Sequence, residues 1–258
     1  MDMGAGNIVS TQAGQERVAI VSGGGTGIGR AICLRLARDG LRVVVGYSRS
    51  AEGALQTVRR IEAAGGVACA LLVDITSETA VQALFAAARQ HYGRIDVVIN
   101  NAGIGYMKSF DQIDMVAYDR IFNVNARGTF MMCREAARTI EDHGRIINIS
   151  SGITMSNSEG MALYAGSKAA LEAFAKVLAR ELAPRGITVN IVSPGMTDTP
   201  MLEGGDAVML RKVGASLAAM RRLGQPEDVA DGVAALVSTD GRWITGQNIH
   251  VDGGTIIV

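Results

Sequence analysis

The sequence predicts a single-domain α/β fold, in which a doubly wound parallel sheet of seven strands carries helices on both faces. Two patterns predict this fold. Short β-branched runs alternate along the chain with longer stretches of helical period, and this order gives right-handed crossovers between parallel strands. The strand runs are also apolar along most of their length, which is typical of strands buried on both faces.

The predicted elements follow one another without a linker or an internal repeat. The predicted strands are Arg17–Ser22, Arg42–Tyr47, Val67–Val73, Ile95–Asn100, Gly144–Ser150, Ile187–Val192 and Asn248–Val251. The predicted helices are Gly27–Asp39, Ala51–Ala63, Ser77–His91, Met115–Ile140, Ala162–Leu182 and Pro226–Val237. Glycines such as Gly40 and Gly93 lie where helices should end. We expect one domain over residues 17–258 and a flexible lead-in over residues 1–16.

Composition excludes several classes of protein. The chain has 258 residues, 48% of them hydrophobic, so it can bury a sizeable core. Lysine and arginine number 25, and aspartate and glutamate also number 25, so we expect no nucleic-acid partner. No apolar run approaches the roughly 20 residues that span a bilayer, and the first residues lack a signal-peptide pattern. We expect a cytoplasmic protein with no membrane partner.

Cysteines and histidines give no sign of a disulfide or a metal site. The three cysteines are far apart in apolar segments, which favours buried free thiols in a reducing compartment: Cys33, Cys69 and Cys133. The three histidines are scattered without the spacing of metal ligands. We expect no metal cofactor.

A glycine-rich turn joins the first predicted strand to the first predicted helix. Glycines at this position permit a tight turn and let backbone N–H groups approach a pyrophosphate at the helix N-terminus. The candidate cofactor-binding residues of the turn are Ser22, Gly23, Gly25, Thr26, Gly27, Ile28 and Gly29. The alternative is a structural turn that binds no ligand.

Tyr164 and Lys168 lie four residues apart on a predicted helix, so their side chains project from the same face. An ammonium beside a phenol favours the phenolate, which should lower the pKa of Tyr164 and suit it to acid–base chemistry near neutral pH. Ser151 precedes this pair at the end of a predicted strand. Taken alone, the pair is also compatible with a solvated helix face.

Residues 197–225 form a segment with several methionines and no predicted strand. One interpretation is a flexible lid over an apolar substrate. The other is a packed pair of helices.

Six motifs in chain order resemble those of the short-chain dehydrogenase/reductase family, over about residues 17–254. They are the glycine turn with Ser22 in place of the usual threonine, Asn100-Asn101-Ala102-Gly103, Asn125, Ser151, the Tyr164 and Lys168 pair, and Pro194-Gly195 followed by Thr199. The resemblance implies a Rossmann fold and hydride transfer between a nicotinamide dinucleotide and a carbonyl or secondary alcohol.

The resemblance also implies roles for four candidate catalytic residues. Tyr164 would exchange a proton with the substrate oxygen, and Lys168 would lower the Tyr164 pKa and hold the nicotinamide ribose. Ser151 would hydrogen-bond the substrate oxygen, and Asn125 would hold a water that links Lys168 to solvent. For Asn125 an alternative stays open, a simple hydrogen bond to a neighbouring carbonyl.

The end of the second strand favours NADP(H) over NAD(H). NAD enzymes usually carry an acid there, whereas this chain has Tyr47, Ser48, Arg49 and Ser50. Arginine and serine can donate hydrogen bonds to a 2′-phosphate. Against this, Thr26 stands where many NADP-preferring relatives carry a basic residue, and Arg49 could be a solvated charge. The other cofactor positions that the resemblance implies are Asp74, Ile75, Asn101, Ala102, Gly103, Tyr164, Lys168, Pro194, Gly195, Thr197 and Thr199.

The C-terminal half resembles the 3-oxoacyl-acyl-carrier-protein reductase branch in Arg222–Asp228 and Trp243–Asn248. We expect reduction of a ketone to a secondary alcohol, with an acyl thioester among the candidate substrates. Basic residues that could meet an acyl-carrier protein are Arg127, Arg134, Arg138, Arg211, Lys212, Arg221 and Arg222. The alternatives are oxidation of a sugar, steroid or other secondary alcohol and, more remotely, a non-catalytic dinucleotide sensor.

Related enzymes are commonly homotetramers, so we expect a homotetramer here. Small and apolar positions that would permit close helix packing between subunits are Ala165, Ala169, Leu171, Ala173 and Phe174. The alternative is that these positions face the sheet. The C-terminal Ile256-Ile257-Val258 would be exposed in a monomer.

Overall fold

The computed structural model describes residues 16–204 and 206–257. Residues 1–15 of the predicted lead-in and the C-terminal Val258 lie outside the described residues. Seven strands form one parallel sheet in the order β3-β2-β1-β4-β5-β6-β7, which confirms the predicted fold. The strands are β1 Val18–Ser22, β2 Arg42–Tyr47, β3 Ala68–Leu72, β4 Val97–Asn100, β5 Arg145–Ile149, β6 Thr188–Pro194 and β7 Asn248–Val251.

Helices cover both faces of the sheet. They are α1 Gly27–Arg38, α2 Ala51–Ala63, α3 Glu78–Tyr92, α4 Met115–Phe122, α5 Thr129–Thr139, α6 Ile153–Ser156, α7 Ala162–Leu182, α8 Ala207–Leu217 and α9 Pro226–Val237. One apolar core layer packs α3, α5 and α7 against the sheet, and the other packs α1, α2 and α9 against the opposite face. Because β1, β4, β5 and β6 are buried along their whole length, both layers exclude water from the centre of the sheet.

The prediction of one continuous helix over residues 115–140 is wrong in its middle. A π-helical turn at Asn123–Gly128 separates α4 from α5. Gly128 packs tightly on Ile75, since a Cβ at this glycine would lie 2.8 Å from Ile75 Cδ1. The apolar period of the sequence indicates helix but carries no signal for the extra residue of a π turn, a feature frequent at functional sites.

The strand order reverses between β1 and β4, because the chain first builds outward through β2 and β3 and then returns to the other side of β1. In a doubly wound sheet, ligands bind in the crevice at the carboxyl ends of the strands beside such a reversal. The glycine turn follows β1, and the Asn101–Gly103 stretch follows β4. The fold therefore places both motifs at this crevice.

The segment over residues 197–225 is helical, with a 3-10 helix at Pro200–Gly204 followed by α8. Its two ends are joined by an isolated parallel bridge between Thr197 and Gly224, and Asp198 N donates to Gly224 O at 2.9 Å. That this segment opens and closes as a lid stays a prediction. In the part of the chain that the structure describes, no helix combines the length and apolar character needed to cross a membrane.

Candidate active site

The Ser22 side chain ties the glycine turn to the end of β4. Its hydroxyl accepts hydrogen bonds from Asn101 N and Ala102 N, each at 3.1 Å, and donates to Ile99 O at 3.4 Å. Serine and threonine share this hydroxyl, so the departure from the usual family residue preserves the group that makes the contact. The two sides of the crevice are thereby held together.

Asn101, predicted to bind cofactor, uses its side chain within the turn. Its Nδ2 donates to Ser22 O at 3.0 Å and Gly23 O at 3.2 Å. Gly29 lies directly against this contact, because a Cβ there would be 2.2 Å from Gly23 O and 2.4 Å from Asn101 Nδ2. The close approach requires glycine at position 29, and the Asn101 side chain shapes the turn.

Arg30 and Thr57 bind the back of the glycine turn, a contact that no motif in the sequence indicates. Arg30 Nη2 donates to Gly25 O at 2.6 Å, and Thr57 Oγ1 donates to Gly24 O at 3.1 Å. Thr57 Oγ1 also lies 2.9 Å from Gly53 O, which links the turn to α2. Because the carbonyls of Gly24 and Gly25 accept these hydrogen bonds on the side away from the crevice, the turn can direct N–H groups toward the crevice.

The N-terminus of α1 suits an anionic group. Thr26 makes no side-chain cap there, and the first turn of α1 carries no acidic residue. The free N–H groups and the helix dipole at such an end favour a phosphate. The glycines of the turn and the lack of an acid in the first turn of α1 therefore fit the pyrophosphate of a nicotinamide dinucleotide.

The end of β2 lies beside the glycine turn. A Cβ at Gly25 would be 3.1 Å from Ser50 O, and both Ser48 and Arg49 are exposed there. On the next strand, Asp74 Oδ1 accepts from Thr76 N at 2.9 Å and shapes the turn after β3. These predicted adenosine-side positions therefore line one continuous edge of the crevice.

The predicted catalytic residues come together where β5 and α7 meet. The Ser151 hydroxyl, after β5, lies close enough to the Tyr164 hydroxyl in the first turn of α7 to favour its phenolate. Lys168 Nζ lies 5.8 Å from the Tyr164 ring centroid and donates to Ile149 O at 2.8 Å. Gly103, from the loop after β4, faces the same point, since a Cβ there would be 3.3 Å from Lys168 Nζ.

Burial dominates the protonation of this pair. It raises the pKa of Tyr164, and the hydrogen bond from Ser151 opposes that rise. Burial also lowers the pKa of Lys168 to about 8, while the charge of Glu172 opposes that fall. The prediction that Lys168 lowers the Tyr164 pKa below its ordinary value is wrong for this structure, because desolvation of the phenolate outweighs the other effects.

Asn125 is fully buried in the π turn, where its side chain makes three hydrogen bonds to neighbouring residues. Its Oδ1 accepts from Ile104 N at 2.9 Å, and its Nδ2 donates to Ile104 O at 2.9 Å and to Ser167 Oγ at 3.0 Å. The contact to a neighbouring carbonyl, left open by the sequence, is therefore present. The predicted water-holding role stays a prediction.

The loop after β6 closes the crevice from the other side. Gly152 N donates to Pro194 O at 2.9 Å, and Thr197 Oγ1 donates to Gly195 O at 3.0 Å. Thr199 reaches the glycine turn, because a Cβ at Gly27 would lie 3.2 Å from Thr199 Cγ2. A cleft of about 300 Å³ beside α1 is lined by Thr26, Gly27, Asp198 and Pro200 and also by Arg60, Pro226 and Glu227, and none of the four predicted catalytic residues lines it. A groove of about 660 Å³ near the C-terminal ends of α1 and α2 contains none of the predicted site residues.

Two carboxylates that the sequence did not single out support the site. Asp252 accepts from Gly254 N and Ile256 N at 2.9 Å each, and so folds the C-terminal segment beneath the Ser151 loop. Glu172 accepts hydrogen bonds from that loop directly. Within residues 16–204 and 206–257, no cluster of three or more His, Cys, Asp or Glu side chains is arranged to hold a metal ion.

Fold and site together define a nicotinamide-dinucleotide-dependent oxidoreductase that acts on CH–OH or C=O groups. Residues 23–255 match the family described as enoyl-(acyl carrier protein) reductase. The chain belongs to the short-chain dehydrogenase/reductase family, as its motifs indicated.

Individual relatives span nearly the whole chain. An uncharacterized oxidoreductase of Methylorubrum extorquens is 42% identical over 93% of this chain and 98% of its own length. A short chain dehydrogenase of Burkholderia cenocepacia in complex with NADP is 40% identical, with a TM-score of 0.88 over 93% of this chain and 98% of that chain. The angucycline C-6 ketoreductase LanV with bound NADP is 35% identical, with a TM-score of 0.87 over 93% of this chain and 95% of its own.

Proposed function

We propose that this protein is an NADP(H)-dependent reductase that converts a ketone to a secondary alcohol. One observation carries the proposal: the neighbouring hydroxyls of Ser151 and Tyr164 lie beside Lys168, at the crevice that the glycine turn enters. These are the groups needed to bind a carbonyl oxygen, protonate it and balance the charge.

Each residue has a role that follows from its position. When bound, NADPH supplies the hydride. Ser151 donates a hydrogen bond to the carbonyl oxygen and so stabilises the negative charge that develops there. Tyr164 donates its phenolic proton to the same oxygen, and Lys168 stabilises the phenolate that remains. Asn125 fixes the Ile104 backbone beside Lys168 and forms one wall of the site.

The protonation of Tyr164 supports the reductive direction. Burial raises its pKa, so the phenol is protonated at neutral pH and is ready to act as the acid. Oxidation of an alcohol would instead need the phenolate as the starting form.

The choice of NADP(H) rests on the end of β2. The exposed Arg49 and Ser48 lie beside the glycine turn, and no acid stands at positions 46–50 to repel a 2′-phosphate. NADP is the nucleotide bound in the Burkholderia cenocepacia relative and in LanV. The same site would accept NADH with lower affinity.

The mouth of the site favours a free apolar ketone over a carrier-bound acyl thioester. Met201 reaches across from the 197–225 segment, since a Cβ at Gly105 would be 3.5 Å from its Sδ, and Met107 lies against Gly160. Several basic residues that could meet a carrier protein are instead paired with acids. These pairs are Arg134–Glu78, Arg138–Glu135, Arg211–Asp198 and Arg222–Asp228. The name of LanV, an angucycline C-6 ketoreductase, agrees with the choice of a ketone.

We also propose a homotetramer, on the basis of an apolar stripe along α7. Ala169, Ala173 and Val177 are exposed and recur at helical spacing, and Phe174 pairs edge-on with Phe130 of α5 at 5.5 Å. Leu171 is different, because its side chain is buried within the protein. A second subunit would cover the stripe.

A cytoplasmic location is proposed from the cysteines. Cys33, Cys69 and Cys133 are free thiols, and the first and last of these are buried in the core. Unpaired thiols of this kind are typical of a reducing compartment.

The test is a panel of ketones and secondary alcohols assayed at the nicotinamide absorbance with all four nicotinamide cofactors. We expect NADPH-dependent reduction of bulky apolar ketones, with kcat/KM at least about tenfold above that for NADH. Faster oxidation of a sugar or steroid alcohol with NAD⁺ would replace the proposal with the dehydrogenase alternative. Cofactor binding without turnover on any substrate would favour the sensor.

A further inference from the structure

The carboxylate of Glu172 binds the loop that carries Ser151 at two points. Its Oε1 accepts a hydrogen bond from Ser150 Oγ at 2.5 Å and another from Thr154 Oγ1 at 3.0 Å. Ser150 and Thr154 stand on either side of Ser151 in the chain. One carboxylate oxygen on α7 thus binds both Ser150, directly before Ser151, and Thr154 in the first turn of α6.

Few other hydrogen bonds fix the direction of the Ser151 side chain. Ser150 N donates to Val192 O at 2.8 Å and Gly152 N donates to Pro194 O at 2.9 Å, which fix the backbone to β6. The Ser151 hydroxyl itself accepts only a 3.2 Å hydrogen bond from Ile153 N besides its contact with Tyr164. Its direction therefore depends on how Ser150 and Thr154 are held.

Glu172 also lies on the face of α7 that carries the other two reactive groups. It is one turn beyond Lys168 and two turns beyond Tyr164, so the three side chains follow the same edge of the helix. Tyr164 and Glu172 are the titratable groups that face Lys168 among the described residues. Its other neighbours are uncharged: Ile149 O from β5, Gly103 from the loop after β4 and Asn125 near the π turn.

We infer that Glu172 is a positioning residue, which aims the Ser151 hydroxyl through its hydrogen bonds with Ser150 and Thr154. The inference rests on the proposed reductase function. Glu172 would act through these two residues, and its negative charge, one turn beyond Lys168 on α7, also favours the charged form of Lys168.

The two effects separate in a pair of variants. Glu172→Gln keeps an oxygen that accepts from Ser150 and Thr154 but removes the charge, whereas Glu172→Ala removes both. Thr154→Val removes one hydrogen bond and leaves the charge. Glu181→Gln, at an exposed position of the same helix, is the matched control for loss of a negative charge from α7.

We expect Glu172→Ala to lower kcat about tenfold or more, since hydrogen bonds to a charged acceptor are lost on both sides of Ser151. Glu172→Gln should recover most of that rate near pH 6.5, where Lys168 stays protonated. Loss of the carboxylate charge lowers the Lys168 pKa further. In a plot of kcat against pH, the alkaline limb of Glu172→Gln should therefore lie at lower pH than that of the wild type. Glu181→Gln should match the wild type in rate and in profile.

The pH dependence of NADPH binding, followed by nicotinamide fluorescence, separates this inference from the proposed function. If the wild type reduces no ketone, the reductase proposal fails. The pH dependence of NADPH binding is then the measurement that tests the role of Glu172. A midpoint shifted to lower pH in Glu172→Gln supports the inference. An unshifted midpoint, or a Glu172→Ala enzyme with wild-type kcat and pH profile, overturns it.

Discussion

The hydroxyls of Ser151 and Tyr164 lie close together although they come from different elements, the loop after β5 and the first turn of α7. Lys168 ties α7 to the last carbonyl of β5, at Ile149, beside them. Two hydroxyls are thereby presented together at the carboxyl end of the sheet. A carbonyl oxygen that enters the crevice can contact both at once.

The hydrogen bonds that the Ser22 hydroxyl accepts from Asn101 N and Ala102 N should be necessary for stability and for cofactor affinity. Ser22→Ala leaves the N–H groups of Asn101 and Ala102 without their acceptor, and we expect a loss of about 1–3 kcal/mol in the free energy of unfolding. The Kd for NADPH should rise as the turn loosens. Urea unfolding and fluorescence titration measure both.

Ser22→Thr is the matched control, since threonine retains the hydroxyl that makes these contacts. It should unfold within about 1 kcal/mol of the wild type. Equal losses in the alanine and threonine variants would mean that the hydroxyl is not the group that holds the turn.

Arg49 should determine the preference for NADPH. Removing the guanidinium in Arg49→Ala takes away a charge-assisted donor to the 2′-phosphate, so kcat/KM with NADPH should fall about tenfold while the value with NADH stays unchanged. Arg59→Ala is the control, because it also removes a nearby positive charge, from an exposed position of α2. If both cofactors lose activity equally, Arg49 has no part in the choice between them.

Lys168 should make the stability of the unliganded protein depend on pH. Burial lowers its pKa to about 8, against about 10.4 in an unfolded chain. Between these values the unfolded chain binds a proton that the folded protein does not, so this group makes the free energy of unfolding rise with pH. Below pH 8 Lys168 is protonated in both the folded and the unfolded protein. Its contribution to stability is then constant and unfavourable.

The measurement is urea unfolding of the wild type and Lys168→Met at several pH values from 7 to 10. The stability of the wild type relative to the variant should increase above pH 8, by at most about 1.4 kcal/mol per pH unit. A difference that does not change with pH would show that Lys168 keeps its ordinary pKa in the folded protein.

The exposed stripe on α7 should be a subunit interface. Val177 is 59% exposed, and Val177→Glu would place a charge at the C-terminal end of the stripe. We expect a tetramer for the wild type by light scattering and a smaller assembly for the variant. Val67→Glu, at an exposed valine away from α7, should leave the mass unchanged. A monomeric wild type would contradict the proposal.

The main elements of the fold could be predicted because burial leaves a strong periodic pattern. The bounds of β2, β7, α2, α7 and α9 agree with the prediction residue for residue. The π turn could not be predicted, because Asn123–Gly128 has the same apolar period as a helix. It arises from the tight packing of Gly128 on Ile75 and the Asn125 contacts with Ile104, which are distant in sequence.

The site was predictable where motif spacing fixes geometry and unpredictable where burial decides protonation. The four-residue spacing places Tyr164 and Lys168 on one face of α7, as expected. The direction of the Tyr164 pKa depends on how much water the surrounding chain removes, which spacing does not encode. Arg30, Thr57 and Glu172 were missed because each acts through contacts that only the folded chain brings together.

The most direct test of the account is the rate of NADPH-dependent ketone reduction by Tyr164→Phe, with NADPH affinity measured in parallel. Phenylalanine keeps the ring but removes the proton that Tyr164 gives to the substrate oxygen. We expect kcat to fall about 10²–10⁴-fold while the Kd for NADPH stays within about threefold of the wild type. A variant that reduces the same ketone at close to the wild-type rate would contradict the role of Tyr164 as the acid and, with it, the mechanism proposed for this site.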